Sequence, residues 1–405
     1  SITMLNDYKP IQRSRISSIL NTILTSKRIT RTNLAERLHL SQSSIVKYIK
    51  ILMEMSFVRE HGMDMPTGGR RSIFLEFNPG VGVNISVIFN ISFLHGALVN
   101  LAGEVVFESK ETVYNGIPER ELLDKLIILI DRLQKHADDM SKRIFGIGIG
   151  IGGYLNMDTG ISHSYFFSKN WNEIELKTKI EDRYKLPFFL INDIDAGALG
   201  DRYYGKGIGV DNFLCLWVSE SVGMGIVLNG DIYFGKNGYV GEIGHTRVMP
   251  DGPLCSCGNT GCLETVTSEN YILKRCIEGV AGGAMSEILK LCNGNINQLK
   301  IEHVIEASNN GDKLSRNIFE EAGNYIGLKL ADTANILNPE LIILRGSVLN
   351  GNTYLFETIE RVMRKQVLRP IANSIKITYS HSQRSDTDIR LLGVSSYILM
   401  KYFNA

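Results

Sequence analysis

No stretch of about 18 consecutive apolar residues occurs in this 405-residue sequence, so no segment is suited to cross a bilayer as a helix. A leader that is first basic and then continuously apolar is missing too, because Lys9, Arg13 and Arg15 precede an amphipathic stretch. These absences point to the cytoplasm. Short repeats and low-complexity segments are also lacking. Cysteine is sparse and unevenly placed: of six, Cys255, Cys257 and Cys262 crowd together, while Cys215, Cys276 and Cys292 are scattered. In a cytoplasmic protein that clustering favours metal over disulfides. Net charge is nearly absent at +1, yet residues 1–75 carry +7 and the remainder −6. A basic head on a mildly acidic body suggests that only the head meets a polyanion. The chain is too long for one ordinary core, and two or three domains are expected.

Residues 11–26 hold Ile11, Ile16, Ile19, Leu20, Ile23 and Leu24 close to helical spacing. Thr30 can cap a short helix containing Leu34, Ala35 and Leu38, and Ser41 can open a third. The third buries Ile45, Ile49 and Leu52, with Val46 and Met53 widening the apolar stripe. Two strands at 57–62 and 72–77 follow, around a Gly-Gly turn. Three helices and a hairpin in this space predict a winged helix-turn-helix over residues 1–77. Beyond it, strands followed by alternating helices and strands occur twice, which predicts two α/β lobes. The first spans 78–195, completed by a helix at 388–405, and the second spans 196–387, with dimerisation helices.

The third helix has the make-up of a recognition helix. Gln42, Ser43, Ser44 and Lys47 offer donors and acceptors to base edges in a major groove. Tyr48 and Lys50 are expected to meet the phosphate backbone, where contact positions without specifying sequence. At the hairpin tip, two glycines permit a tight turn and Arg70 and Arg71 follow, suited to a narrow minor groove. A helical domain with a merely wet polar face is the plainer alternative.

The most specific pattern is Gly-Glu-Ile-Gly-His at 241–245, followed by Cys-Ser-Cys-Gly-Asn-Thr-Gly-Cys-Leu-Glu at 255–264. His245, Cys255, Cys257 and Cys262 make a full tetrahedral set for one structural zinc per chain. The pattern resembles the signature of the ROK family (repressors, open reading frames and sugar kinases). The head and its Gly-Gly-Arg-Arg wing resemble the repressor branch, particularly its xylose-repressor-type members. The resemblance implies an actin/hexokinase-like, ribonuclease H-like pair of lobes with a zinc loop. It also implies a monosaccharide or sugar phosphate bound between them by Gly153, Ser168, Asn192, Asp193, Glu242, His245 and Glu264. Asp193 matches the base of the kinases, although the cap of a helix is a plainer use for an aspartate there. His245 would serve sugar and zinc with different nitrogens. Ser168 replaces an asparagine of the xylose-type pattern, which leaves the identity of the sugar open.

Kinases of this family carry Asp-x-Gly-Gly-Thr in the first hairpin, and the matching stretch here is Asn84-Ile85-Ser86-Val87-Ile88. A second phosphate loop reads Ser221-Val222-Gly223-Met224-Gly225, without its first glycine, and the later strand end reads Ile343-Leu344-Arg345-Gly346. These departures predict a sensor rather than an enzyme, with no nucleotide. It would act as a repressor on double-stranded operator DNA, as a homodimer or dimer of dimers, away from membranes. The alternatives are an ATP-dependent sugar kinase and a constitutive DNA-binding dimer with a vestigial sugar site.

Overall fold

Thr30 and Ser41 each accept a hydrogen bond from the backbone amide three residues on (3.2 Å for Asn33 and for Ser44), and these caps fix where two short helices begin. The computed structural model describes residues 8–63, 73–381 and 388–404. Its head comprises α1 (Pro10–Ser26), β1 (Ile29–Thr30), α2 (Arg31–Leu38), α3 (Gln42–Glu54), β2 (Val58–Met63) and β3 (Ile73–Phe77). The strands form an antiparallel sheet in the order β1-β3-β2. Sequence reasoning missed β1, which is only two residues long. Ile11, Val46 and Met53 were expected in the apolar stripes but are exposed, at 69%, 53% and 37%.

The chain divides into two compact units, residues 1–209 with 387–405, and 210–386. The first contains the head and a sheet built from β4 (Val83–Phe89), β5 (Phe93–Asn100) and β6 (Val105–Thr112). Then come β7 (Ile117–Pro118), α4 (Glu119–Asp139) and β8 (Ile144–Ile151). Short strands β9 (Leu155–Asn156), β10 (Ile161–Ser162), β11 (Ser168–Lys169) and β12 (Ile174–Glu175) precede α5 (Leu176–Tyr184), β13 (Phe188–Asn192) and α6 (Asp193–Tyr204). The main sheet runs β13-β8-β4-β5-β6.

Alternation in β8 explains how this sheet is covered on both faces. Ile147, Ile149 and Ile151 join Leu122, Leu126, Leu129 and Leu133 of α4 in one core. The intervening Gly146, Gly148 and Gly150 turn to the opposite face. There a side chain at Gly148 would meet Val394 at 2.5 Å, so the glycines admit a closely packed helix. That helix is the C-terminal one, Ile389–Asn404, which crosses α6 through Gly393 and Gly200. A Cβ at Gly393 would lie 1.6 Å from the Ala196 carbonyl oxygen, so glycine is required there. This close packing places α6 in the first unit, beyond the boundary expected at 195.

In the second unit come β14 (Phe213–Val218), β15 (Val222–Leu228) and β16 (Asp231–Ile232). Helices α7 (Leu263–Thr267), α8 (Glu269–Ala281), α9 (Ile288–Leu291), α10 (Ile301–Asn309) and α11 (Lys313–Leu337) follow. Then come β17 (Leu341–Arg345), α12 (Thr353–Gln366), α13 (Arg369–Ser374) and β18 (Lys376–Tyr379), and the C-terminal helix is α14. The sheet order is β16-β15-β14-β17-β18. Its core combines alternate residues of β14 and β15 with α10, α11 and α12. No helix among the described residues is long and apolar enough to cross a membrane.

Candidate functional site

On α3, burial of Ile45, Ile49 and Leu52 turns one face outward. That face carries Gln42, Ser43, Lys47 and Lys50, all exposed, with Ser44 half-buried. The Ser41 hydroxyl lies 3.0 Å from that of Ser43 and 2.9 Å from that of Ser44, so the first turn is a small hydroxyl network. Tyr48 departs from expectation. It is only 3% exposed and belongs to the core of the head, because it follows Ile45 by three positions on the buried side. Lys47 Nζ lies 5.8 Å from its ring centroid. Val46, expected in the apolar stripe, is instead exposed beside Lys47. The expected wing arginines, Arg70 and Arg71, lie outside the described residues.

In the first unit, Asn192 ends β13 and caps α6, its Oδ1 accepting from Ile194 N at 2.9 Å. Asn192, not Asp193, is therefore the cap, and Asp193 is free of that role. The Asp193 carboxylate instead meets Arg390 of α14, with Nη1 donating to Oδ2 at 3.2 Å. Its Oδ1 lies 3.5 Å from where a Cβ on Gly152 would be. Burial pushes the Asp193 carboxyl above its ordinary range and Asp388 adds to this, while Arg390 pulls it down. Gly153 follows with φ of +94°, a backbone state that favours glycine. A side chain there would strike the Ser164 carbonyl oxygen at 2.1 Å. Ser168 is tied elsewhere, its hydroxyl donating to the Ile117 carbonyl at 2.8 Å. Trp171, three residues on, is buried and donates to Ser162 Oγ at 3.0 Å.

In the second unit, the ligand atoms of His245, Cys255, Cys257 and Cys262 all lie within 4.8 Å of one another. Cys257 and Cys262 sulfurs are 3.7 Å apart, and His245 Nδ1 is 3.5 Å from Cys255 Sγ. A tetrahedral zinc with bonds of about 2.3 Å to sulfur separates its ligand sulfurs by about 3.8 Å. The four residues thus fit a four-coordinate metal ion. The loop is built for this: Cys255 N donates to Asn259 O at 2.7 Å, and Gly258 turns with φ of +91°. The Asn259 backbone amide helps hold the Cys257 thiol down to about 7, whereas burial pushes Cys262 up to about 12. His245 presents its other nitrogen, Nε2, to Glu242 at 3.9 Å. Glu264 opens the helix after Cys262 and accepts from Val222 N at 2.9 Å, so part of its acceptor capacity is already used.

Asn84 to Ile88 form the middle of β4, a central strand paired on both sides, and Asn84 is fully buried with Nδ2 donating to Ser395 Oγ at 3.0 Å. Beyond β17, Ser347 N donates to Ser219 Oγ at 2.9 Å, and Ser347 Oγ donates to the Glu269 carboxylate. Sequence reasoning missed Glu269, since a glutamate at a helix start reads as an ordinary helix-dipole partner.

A model of the ROK family matches residues 91–390. The xylose repressor of Bacillus subtilis is 28% identical over 381 residues, covering 94% of each chain. The N-acetylglucosamine repressor of Escherichia coli O157:H7 is 28% identical over 382 residues, covering 92% of this chain and 88% of the relative. Among solved structures, a ROK family transcriptional regulator described as a homologue of the E. coli MLC protein superposes with a TM-score of 0.77. It is 25% identical and covers 98% of this chain and 100% of its own. A ROK family glucokinase from Streptomyces griseus shares the fold at 23% identity, with a TM-score of 0.67 over 78% of this chain and 99% of its own.

Proposed function

Taking as premise that this chain belongs to the ROK family, we propose that it is a sugar-responsive DNA-binding transcriptional regulator. The exposed polar face of α3, joined to a sugar-kinase-like body, is the observation that carries this reading. The head acts as a winged helix-turn-helix, with Gln42, Ser43, Ser44 and Lys47 against base edges and Lys50 against phosphate. Arg70 and Arg71 reach an adjoining minor groove. Gly153, Asn192 and Asp193 of the first unit, and separately Glu242, His245 and Glu264 of the second, offer polar groups suited to a monosaccharide, whose hydroxyls both donate and accept. Ser168 contributes only through what its carbonyl-bound hydroxyl can still accept. One structural zinc, held by His245, Cys255, Cys257 and Cys262, stiffens the loop that bears the second set.

The protein is not a kinase on this reading. A phosphate cradle needs free backbone amides, and those of Asn84 to Ile88 lie in a strand paired on both sides. The regulator works as a homodimer or dimer of dimers on a two-fold symmetric operator.

A thermal-shift screen of monosaccharides and their phosphates tests this, with xylose and N-acetylglucosamine among them. A ligand at about 100 times its dissociation constant adds about 2.7 kcal/mol of stability. One sugar is expected to stabilise the protein and to change its affinity for operator DNA. Stabilisation by ATP, with phosphorylation of that sugar, would replace this reading with the kinase one.

A further inference from the structure

Arg390 is 9% exposed, and its guanidinium ties three parts of the first unit together. Nη1 donates to Asp193 Oδ2 at 3.2 Å, and Nη2 donates to Asn90 Oδ1, in the turn between β4 and β5, at 2.7 Å. Nε and Nη2 grip Asp388 through bonds of 3.0 and 2.8 Å. Although burial works against it, this grip holds the Asp388 carboxyl below its ordinary range. A planar fork bonded in this way has little freedom to rotate. The carboxylate of Asp193 is therefore clamped by one oxygen, with the other facing Gly152.

Arg390 lies in the first turn of α14, and the last turn of that helix lies against the head. Phe403 meets Phe57 edge-on at 5.3 Å between ring centroids and stacks on Phe77 at 6.3 Å. Tyr402 meets Phe57 at 6.3 Å and Phe145 at 5.5 Å, and its hydroxyl accepts from Arg143 at 3.2 Å. Phe57 and Phe77 flank the wing strands of the head, and all five rings are at most 5% exposed. From Arg390 to Phe403 the helix rises about 20 Å. Along that length it is packed on the glycine face of β8 and on α6, the helix that begins with Asp193. A rigid element thus touches the sugar-site aspartate at one end and the core of the head at the other.

We propose that Arg390 is the positioning residue that aims Asp193 at a neutral sugar hydroxyl, and that α14 couples that site to the DNA-reading head. The inference rests on the sensor reading given above. The guanidinium already donates to Asp193, Asn90 and Asp388, so its charge is taken up within the protein and little of it is left for an anionic ligand. This end of the site therefore favours an uncharged polyol over a sugar acid or phosphate. A hydroxyl that bonds Asp193 competes with Arg390 for its charge, and a shift of the first turn is passed down a helix that the two glycine crossings hold against its neighbours. Coupling requires only that the ligand prefer one placement of α14 to the other.

The test uses the full chain with its metal and three probes, D-xylose, D-glucose and N-acetylglucosamine. Calorimetry measures sugar affinity, and fluorescence anisotropy measures operator affinity with and without sugar. Phe403→Leu is expected to bind the effective sugar within about twofold of wild type, yet to lose about tenfold of its effect on the operator. Arg390→Met is expected to weaken sugar binding at least tenfold, and Arg390→Lys to recover part of that loss, since a single ammonium can still reach Asp193. Should Phe403→Leu misfold, amide exchange on wild type decides the matter. Sugar is then expected to change exchange both along 389–404 and around Phe57 and Phe77. Changes confined to the neighbourhood of Asp193, or a Phe403→Leu protein that responds fully, overturn the coupling and leave the sensor reading intact. Equal sugar affinity in Arg390→Met overturns the positioning role. If no sugar of the thermal-shift screen, these three included, binds wild type, the sensor reading itself falls, and the coupling falls with it.

Discussion

Glu269 shows how one carboxylate can be stabilised in place and still carry a cost. Burial pushes its carboxyl up to about 7, Glu220 and Glu302 add to the shift, and the Ser347 hydroxyl opposes it. In the unfolded chain it titrates near 4.5, so between about 4.5 and 7 the folded state binds more protons than the unfolded one. Stability from this group is therefore full below pH 4.5 and is lost as pH rises through 7. Gln keeps an acceptor for Ser347 and has no charge to bury. Glu269→Gln is expected to match wild type at pH 4.5 and to exceed it in urea-unfolding midpoint at pH 8, with an unchanged slope. Parallel midpoint curves for the two proteins across that range would count against the buried charge.

At the scale of single elements, α3 was largely legible from sequence because Ser41 and the Ile45, Ile49, Leu52 stripe are both local signals. What sequence could not resolve was the width of that stripe. Tyr48 turned inward and Val46 and Met53 turned outward, and only the neighbours they meet decide such borderline positions. The same limit applied to the surroundings of Asp193. Asp193 was visible in the pattern around it, but Arg390 lies 197 positions away and enters through a helix packing on glycines. Gln42→Ala and Ser44→Ala are expected to cost about 1–3 kcal/mol of discrimination between operator and random duplex per lost base contact. Lys50→Ala is expected to weaken binding about equally on both duplexes and to flatten the salt dependence, because phosphate contact carries no sequence information. Anisotropy titrations at several salt concentrations separate the two outcomes, and unchanged discrimination in Gln42→Ala and Ser44→Ala would move the base-reading face elsewhere. The metal loop gives a third expectation at this scale. Cys257→Ser should lower zinc content from one per chain toward none and expose the Glu242 and Glu264 segment to protease, measured by elemental analysis and limited proteolysis. Stoichiometric zinc in that variant would remove Cys257 from the ligand set.

At the scale of the whole molecule, regulation requires that sugar and operator prefer different arrangements of one chain. To shift the DNA-competent population from 99:1 to 1:99, the sugar must favour the other state about ten-thousandfold, roughly 5.5 kcal/mol. Hydrogen bonds to charged groups contribute about 1.5–3 kcal/mol each when made in one state and not the other. Two or three such bonds, Asp193 being one proposed partner, cover that range. Losing the Asp193 charge should thus remove a substantial share of the switch without touching the head. Asp193→Asn keeps the shape of the side chain, but Arg390 loses its second carboxylate. Operator affinity without sugar is expected to stay near the wild-type value, zinc content to stay at one per chain, and the sugar-induced change to shrink by about tenfold or more. ATP is expected to leave all of these unchanged, since β4 has no free amides to cradle its phosphates. Operator titrations with sugar, with ATP and with both, on wild type and Asp193→Asn, read every term of this comparison. A variant that responds to sugar as wild type does would take Asp193 out of the sensor. Transfer of phosphate from ATP to the sugar by wild type, giving ADP and sugar phosphate, would make Asp193 a general base after all, and the regulator an enzyme.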